Sequence, residues 1–131
     1  NDNILFTIQQ DETHIFDVSS DAYIYINGIL NVNTISLIGL SSDTTGITFS
    51  ASTFRSAFID YYVTSGITIR SGSIIATWDD SSVIYTDYST LDLNGSTDSI
   101  QLHVTRDNNL IIIIISITSG TWDVKISIRI I

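Results

Sequence analysis

The sequence predicts an all-β protein, an antiparallel β-sandwich. Three observations carry this. Short β-prone runs recur at the roughly 8–12-residue spacing of sandwiches and barrels, with Gly, Asn, Asp and Ser between them. Near the C-terminus two runs alternate cleanly: Ile100, Leu102 and Val104 against Gln101, His103 and Thr105, then Trp122, Val124, Ile126, Ile128 and Ile130 against Asp123, Lys125, Ser127 and Arg129. No amphipathic stretch is long enough for a substantial helix, and the Ser, Thr and Asn on outward positions are poor helix formers. No internal repeat is evident, which argues against a propeller or solenoid.

The elements follow in order. Residues 3–9 form a first strand and residues 13–18 a second, with a polar turn at Asp11-Glu12. Residues 22–26 and 29–32 flank Asn27-Gly28. Asn-Gly between two β-rich runs is a hairpin signal, because a type I′ turn needs positive φ at both central residues. Residues 34–40 continue as a strand, and Gly39 inside it reads either as a bulge or as a tight approach of another group. Residues 41–46 read as a loop and 47–50 as a short strand. Residues 52–60 (STFRSAFID) are ambiguous: Ser52 or Thr53 could cap one helical turn, or the stretch could be strand. Residues 66–70 and 73–78 read as two strands parted by a Ser71-Gly72 turn. Residues 79–82 turn again, residues 83–88 are a strand, and residues 89–93 another. Asn94 to Asp98 lead into a three-stranded terminal meander, 99–131.

Its middle strand, Leu110 to Ile117, is apolar at every position but Ser116. Such a run reads as a strand buried on both faces. It is far too short to span a bilayer as a helix, so no membrane insertion is expected. One face goes to the domain core. The other needs a second layer or a neighbouring copy, and Ile111, Ile113, Ile115 and Ile117 are the candidate contact residues for that copy.

The chain has 131 residues, one domain's worth, so residues 1–131 are expected to form a single domain. It carries 14 acidic and 5 basic residues, a net charge of −9. The cations are scattered, and phosphate recognition needs a basic patch, so nucleic acid is excluded as a partner. Anionic membrane surfaces are disfavoured on the same ground. Only 15% of residues are charged, well below the roughly 25% of ordinary soluble domains, while 44% are hydrophobic. Cysteine is absent, which removes disulfides and thiolate metal sites. Residue 1 is Asn and Met is absent, so the chain is expected to be a C-terminal fragment of a longer one.

No catalytic pattern stands out. His14 and His103 are isolated, no G-x-S-x-G elbow occurs, and two distant histidines make no zinc site. Asp79, Asp80 and Asp87, or Asp92 and Asp98, lack the spacing of a calcium loop. Neither cofactor nor metal is expected, and the chain is read as no enzyme. Aromatic residues are more informative. Trp78, Asp79, Asp80, Tyr85, Asp87 and Tyr88 gather rings and carboxylates around one presumed hairpin end. A sugar stacks its apolar face on a flat ring and gives its hydroxyls to carboxylates, so these six are the candidate ligand site. The competing reading puts Trp78 in the core and the Asp pair in a turn.

The C-terminal run Gly120-Thr121-Trp122-Asp123-Val124-Lys125-Ile126-Ser127-Ile128-Arg129, behind the Thr118-Ser119-Gly120 turn, resembles the end of phage fibre and virion-appendage head domains. The Ser/Thr/Asn-rich strands are similar too. The resemblance covers about the last thirty residues and carries no residue-level binding motif. It implies a jelly-roll-like sandwich, a homotrimer, a place on the virion surface outside the cell, and attachment to a host-surface glycan or protein receptor. The alternatives are a structural capsid-decoration or oligomerisation module without its own ligand, and a stand-alone lectin-like module.

Overall fold

The structure, a computed structural model, describes residues 4–10, 13–19, 24–26 and 29–131, with side chains from residue 33 onward. The described residues form strands β1 (Ile4–Gln10), β2 (Thr13–Ser19), β3 (Ile24–Ile26), β4 (Ile29–Leu40), β5 (Thr44–Ser50), β6 (Ser56–Ser65), β7 (Thr68–Trp78), β8 (Val83–Ser89), β9 (Ile100–Asp107), β10 (Leu110–Ile117) and β11 (Trp122–Ile130). No helix among them is long and apolar enough to cross a membrane. They make two antiparallel sheets, one in the order β1-β2-β3-β4-β11-β6-β7-β8 and one in the order β5-β10-β9.

Period-2 patterning explains why the sheets meet. β11 buries Trp122, Val124, Ile126, Ile128 and Ile130 and exposes Asp123, Lys125 and Arg129. β6 and β7 add Ile59, Val63 and Ile74 to the same layer. From the small sheet come Ile47 and Phe49, then Ile100, Leu102 and Val104, then Ile111, Ile113 and Ile115. Burying each such side chain is worth about 1.5–3 kcal/mol, so this layer holds the sheets together.

The expected terminal meander is half right. β9 and β10 pair in perfect register, Leu110 with Asp107 through Ile117 with Ile100. β11 instead crosses to the large sheet and inserts between β4 and β6. Its alternation dictates which face is buried, and either sheet satisfies that equally. The crossing turn contains Gly120 at φ +81 and is tied by the Trp122 indole N–H to Ser119 O, 2.9 Å.

Other expectations meet the structure as follows. β3 and β4 pair as a hairpin, Tyr25 with Leu30 and Ile26 with Ile29. Its Asn27-Gly28 turn lies outside the described residues, as does the side chain of His14. The bulge at Gly39 is present: Trp122 faces Leu40 while Val124 faces Leu37. Gly39 takes φ +69, and its N–H donates to Asp123 Oδ1 at 2.8 Å. β5 begins at Thr44, so the loop before it is shorter than expected. Residues 51–55 turn without helix and 56–65 are strand. Trp78 ties this turn down, its indole N–H donating to Ala51 O (3.0 Å) and Phe54 O (2.8 Å), and residues 56–65 pair with β7 and β11 instead of coiling. Residues 89–93 make no further strand beyond β8, only a bridge between Leu93 and Ile69.

Candidate functional site

β7 runs unbroken through Ser71-Gly72, where a turn was expected. Gly72 sits directly opposite Tyr61, and the tyrosine ring occupies the space a side chain would take. The Tyr61 hydroxyl donates to both carboxylate oxygens of Asp87, at 2.9 and 3.0 Å. Burial, then that carboxylate, push the Tyr61 phenol up to about 12. Beside it lies Arg70, buried at 8% exposure. Its Nη1 donates to Thr97 Oγ1 (2.8 Å) and its Nη2 to Ile100 O (3.2 Å). Thr97 in turn donates its hydroxyl and its N–H to Asp92, which hold that carboxyl below its ordinary range. The network pins the 90–99 loop to β7. Arg70 Nε is buried without a hydrogen-bond partner, an unfavourable contribution within it.

The six candidate ligand residues do not converge. Trp78 is a core residue at 5% exposure, tilted against Phe49 with ring centroids 5.5 Å apart. In this fold it offers no face to a sugar. Asp79 closes the β7–β8 turn. Its carboxylate accepts the N–H groups of Ser81 and Ser82, each at 2.8 Å, and these bonds bring it down to about 2. Asp80 makes an exposed ion pair with Arg55 at 3.3 Å, of little energetic weight. Tyr85 and Asp87 share one side of β8: the Tyr85 hydroxyl reaches His103 Nδ1 at 3.2 Å, and Asp87 holds Tyr61. Tyr88 is on the opposite side, 64% exposed. Strand alternation separates them, a rule visible in the sequence once residues 83–89 are set as one strand.

The row Ile111, Ile113, Ile115 and Ile117 faces the chain's own core, with the first three at 0% exposure. This corrects its assignment to a neighbouring copy. The outward face of β10 is instead Ile112, Ile114 and Ser116, half-buried between Thr45 and Thr48 of β5 and His103 and Thr105 of β9.

The structure assembles a different surface on the outer face of the large sheet. Register places Asp60, Ser73 and Tyr88 in one row across β6, β7 and β8. The Ser73 hydroxyl donates to Asp60 Oδ1 at 2.5 Å, and Oδ2 has no hydrogen-bond partner among the described residues. The next row is Arg129, Phe58, Ile75 and Thr86, with the guanidinium 4.4 Å from the Phe58 ring centre. A cleft of about 430 Å³ lies between these rows, lined by Phe58, Asp60, Ser73, Ile75 and Arg129. A second, of about 490 Å³, lies on the other side of the Asp60–Ser73 pair, against Ser71, Tyr88 and Thr90. Chemically this surface offers aromatic rings, hydroxyls, the Asp60 carboxylate and the Arg129 guanidinium around two clefts. Asp60 and Ser73 were missed because 52–60 was read without a strand period and 71–72 as a turn.

No family model matches the chain, and no curated protein matches it. Among solved structures it is similar to the tailspike protein of Acinetobacter baumannii phage AM24, at 8% identity and a TM-score of 0.39, over 76% of this chain and 25% of that one. The chain thus spans about a quarter of that protein's length.

Proposed function

We propose that this chain is the non-enzymatic attachment head of a virion fibre, a jelly-roll-type domain binding a host-surface glycan or protein. The observation that carries this reading is the outer platform of the large sheet, where Tyr88 and Asp60 flank Ser73 between two clefts. A sugar ring would stack on Tyr88 and give hydroxyl hydrogens to the free oxygen of Asp60. Homotrimeric assembly belongs to the same reading, through a contact other than the Ile111–Ile117 row.

The test is binding of the fluorescent chain to a glycan array and to bacterial cell surfaces, beside Tyr88→Ala and Asp60→Asn. Both substitutions are at exposed positions, and both are expected to lower binding at least tenfold without changing the thermal midpoint by much. Absence of binding to every glycan and every cell surface tried would sink the reading and favour a structural module.

A further inference from the structure

β8 is an outer edge of the large sheet, and it is unguarded. Natural edges carry lysine, proline or bulges that block further pairing. Residues 83–89 (VIYTDYS) carry none of these, and their only charge, Asp87, is held within the chain by Tyr61. Exposed large hydrophobics also gather here: Ile84, Tyr85 and Tyr88 on the strand, with Leu91 (92% exposed) and Leu93 on the stretch that continues it. On β5 and β9, the edges of the small sheet, no large hydrophobic is exposed among the described residues.

The ladder says which backbone groups are open. Thr90 N–H donates to Ser71 O at 2.8 Å, so alternation turns the backbone groups of Tyr88, Thr86 and Ile84 toward β7. The N–H and C=O groups of Val83, Tyr85, Asp87 and Ser89 then face away from the sheet. Among the described residues they have no partner.

We propose that this edge pairs with β8 of a second copy of the chain, antiparallel and two-fold symmetric about Thr86. In that register Tyr85 and Asp87 exchange backbone hydrogen bonds with Asp87 and Tyr85 of the copy, and Val83 does so with Ser89. All seven residues of β8 are used. Sliding the strands to set Asp87 against Asp87 would oppose like charges, and other slides shorten the ladder. On the outer face Ile84 meets Tyr88 of the copy, and the exposed row through Ile75 continues unbroken across the junction. An isologous contact closes on itself, so an edge this open is capped by one partner. It can join two single chains or one protomer from each of two trimers, and it stands whether or not the platform binds a receptor.

The chain has no cysteine, which makes the test clean. Thr86 faces Thr86 of the copy at a non-hydrogen-bonded pair, where Cα atoms lie about 4.5 Å apart, within reach of a disulfide. Thr86→Cys should therefore cross-link nearly completely into pairs under mild oxidation in dilute solution. Lys125→Cys, exposed on β11, should stay at least tenfold less cross-linked. Thr86→Lys sets two ammonium groups face to face on the axis and should halve the solution mass without altering the circular dichroism. If Thr86→Cys keeps a titratable thiol yet links no faster than Lys125→Cys, the proposal is overturned, even where light scattering finds a trimer. Absence of binding to every glycan and every cell surface, with the cross-link intact, would overturn only the attachment reading.

Discussion

Tyr61 lies on the bare backbone of Gly72. The two face each other across β6 and β7, and a methyl group added at Gly72 would come within 2.5 Å of Tyr61 Cζ and Oη. Gly72→Ala must therefore push the ring aside, and with it the bond to Asp87. We expect a loss of about 1–3 kcal/mol, the range for overpacking and for orphaning a buried hydroxyl. In a Tyr61→Val background the same change should cost far less, because the ring is gone. Denaturant midpoints of the four proteins in that cycle check it.

The same tyrosine carries a pH dependence in alkali. Folding raises the Tyr61 phenol from its ordinary 10 to about 12, chiefly by burial. A group raised on folding contributes stability that is complete below its unfolded value. That contribution is lost as pH climbs through the folded value. Unfolding free energy should thus fall between about pH 10 and 12. Tyr61→Phe should be less stable at pH 7, by about 1 kcal/mol for the lost hydrogen bonds, and flatter across that window. Equal slopes for both proteins would refute the assignment.

Much of this was legible beforehand and some was not, for reasons that differ by residue. The alternation of Trp122 to Ile130 gave the buried face of β11, because a strand's side chains obey a strict period of two. It could not give the sheet, since both sheets offer the same apolar layer. Gly72 read as a turn because glycine beside serine is turn chemistry; its actual reason, a ring seated from the neighbouring strand, lies eleven residues away. Trp78 and Asp79 looked like a ligand pair because they adjoin in sequence. Adjacency on a strand means opposite faces, and here one went to the core and the other to the turn. Asp60 and Ser73 became a pair only through a register that no local pattern contains.

Asp79 should control the low-pH behaviour of the β7–β8 turn. Its carboxyl is brought from 3.8 to about 2, first by the N–H groups of Ser81 and Ser82. A depressed acid stabilises the fold above its unfolded value, and the effect disappears as pH falls toward the folded one. The window is therefore about pH 4 down to 2. Asp79→Ala removes the acceptor for both N–H groups, so it should lower stability at pH 7 and shrink the acid loss in that window. The effect is confined to an exposed turn, so amide exchange at Ser81 and Ser82 is the sensitive measurement: both should exchange faster in the variant.

The two faces of β10 make opposite demands. Ile113 is wholly buried and touches the layer from β11 and β6, so Ile113→Ala should cost about 2–5 kcal/mol, as cavity-forming changes in packed cores do. Ile112, one residue earlier, faces outward between Thr48 and Thr105. Ile112→Thr keeps the branched shape that strands favour and matches its neighbours, so it should change stability by less than about 1 kcal/mol. The difference between these adjacent isoleucines is a measure of how the strand is covered. If Ile112→Thr proves as costly as Ile113→Ala, something beyond this chain covers the outer face, and its cost should then grow with protein concentration. If the costs differ as expected, one chain's core suffices for β10, and the exposed side chains of the β8 edge, Ile84, Tyr85 and Tyr88, remain open to a partner.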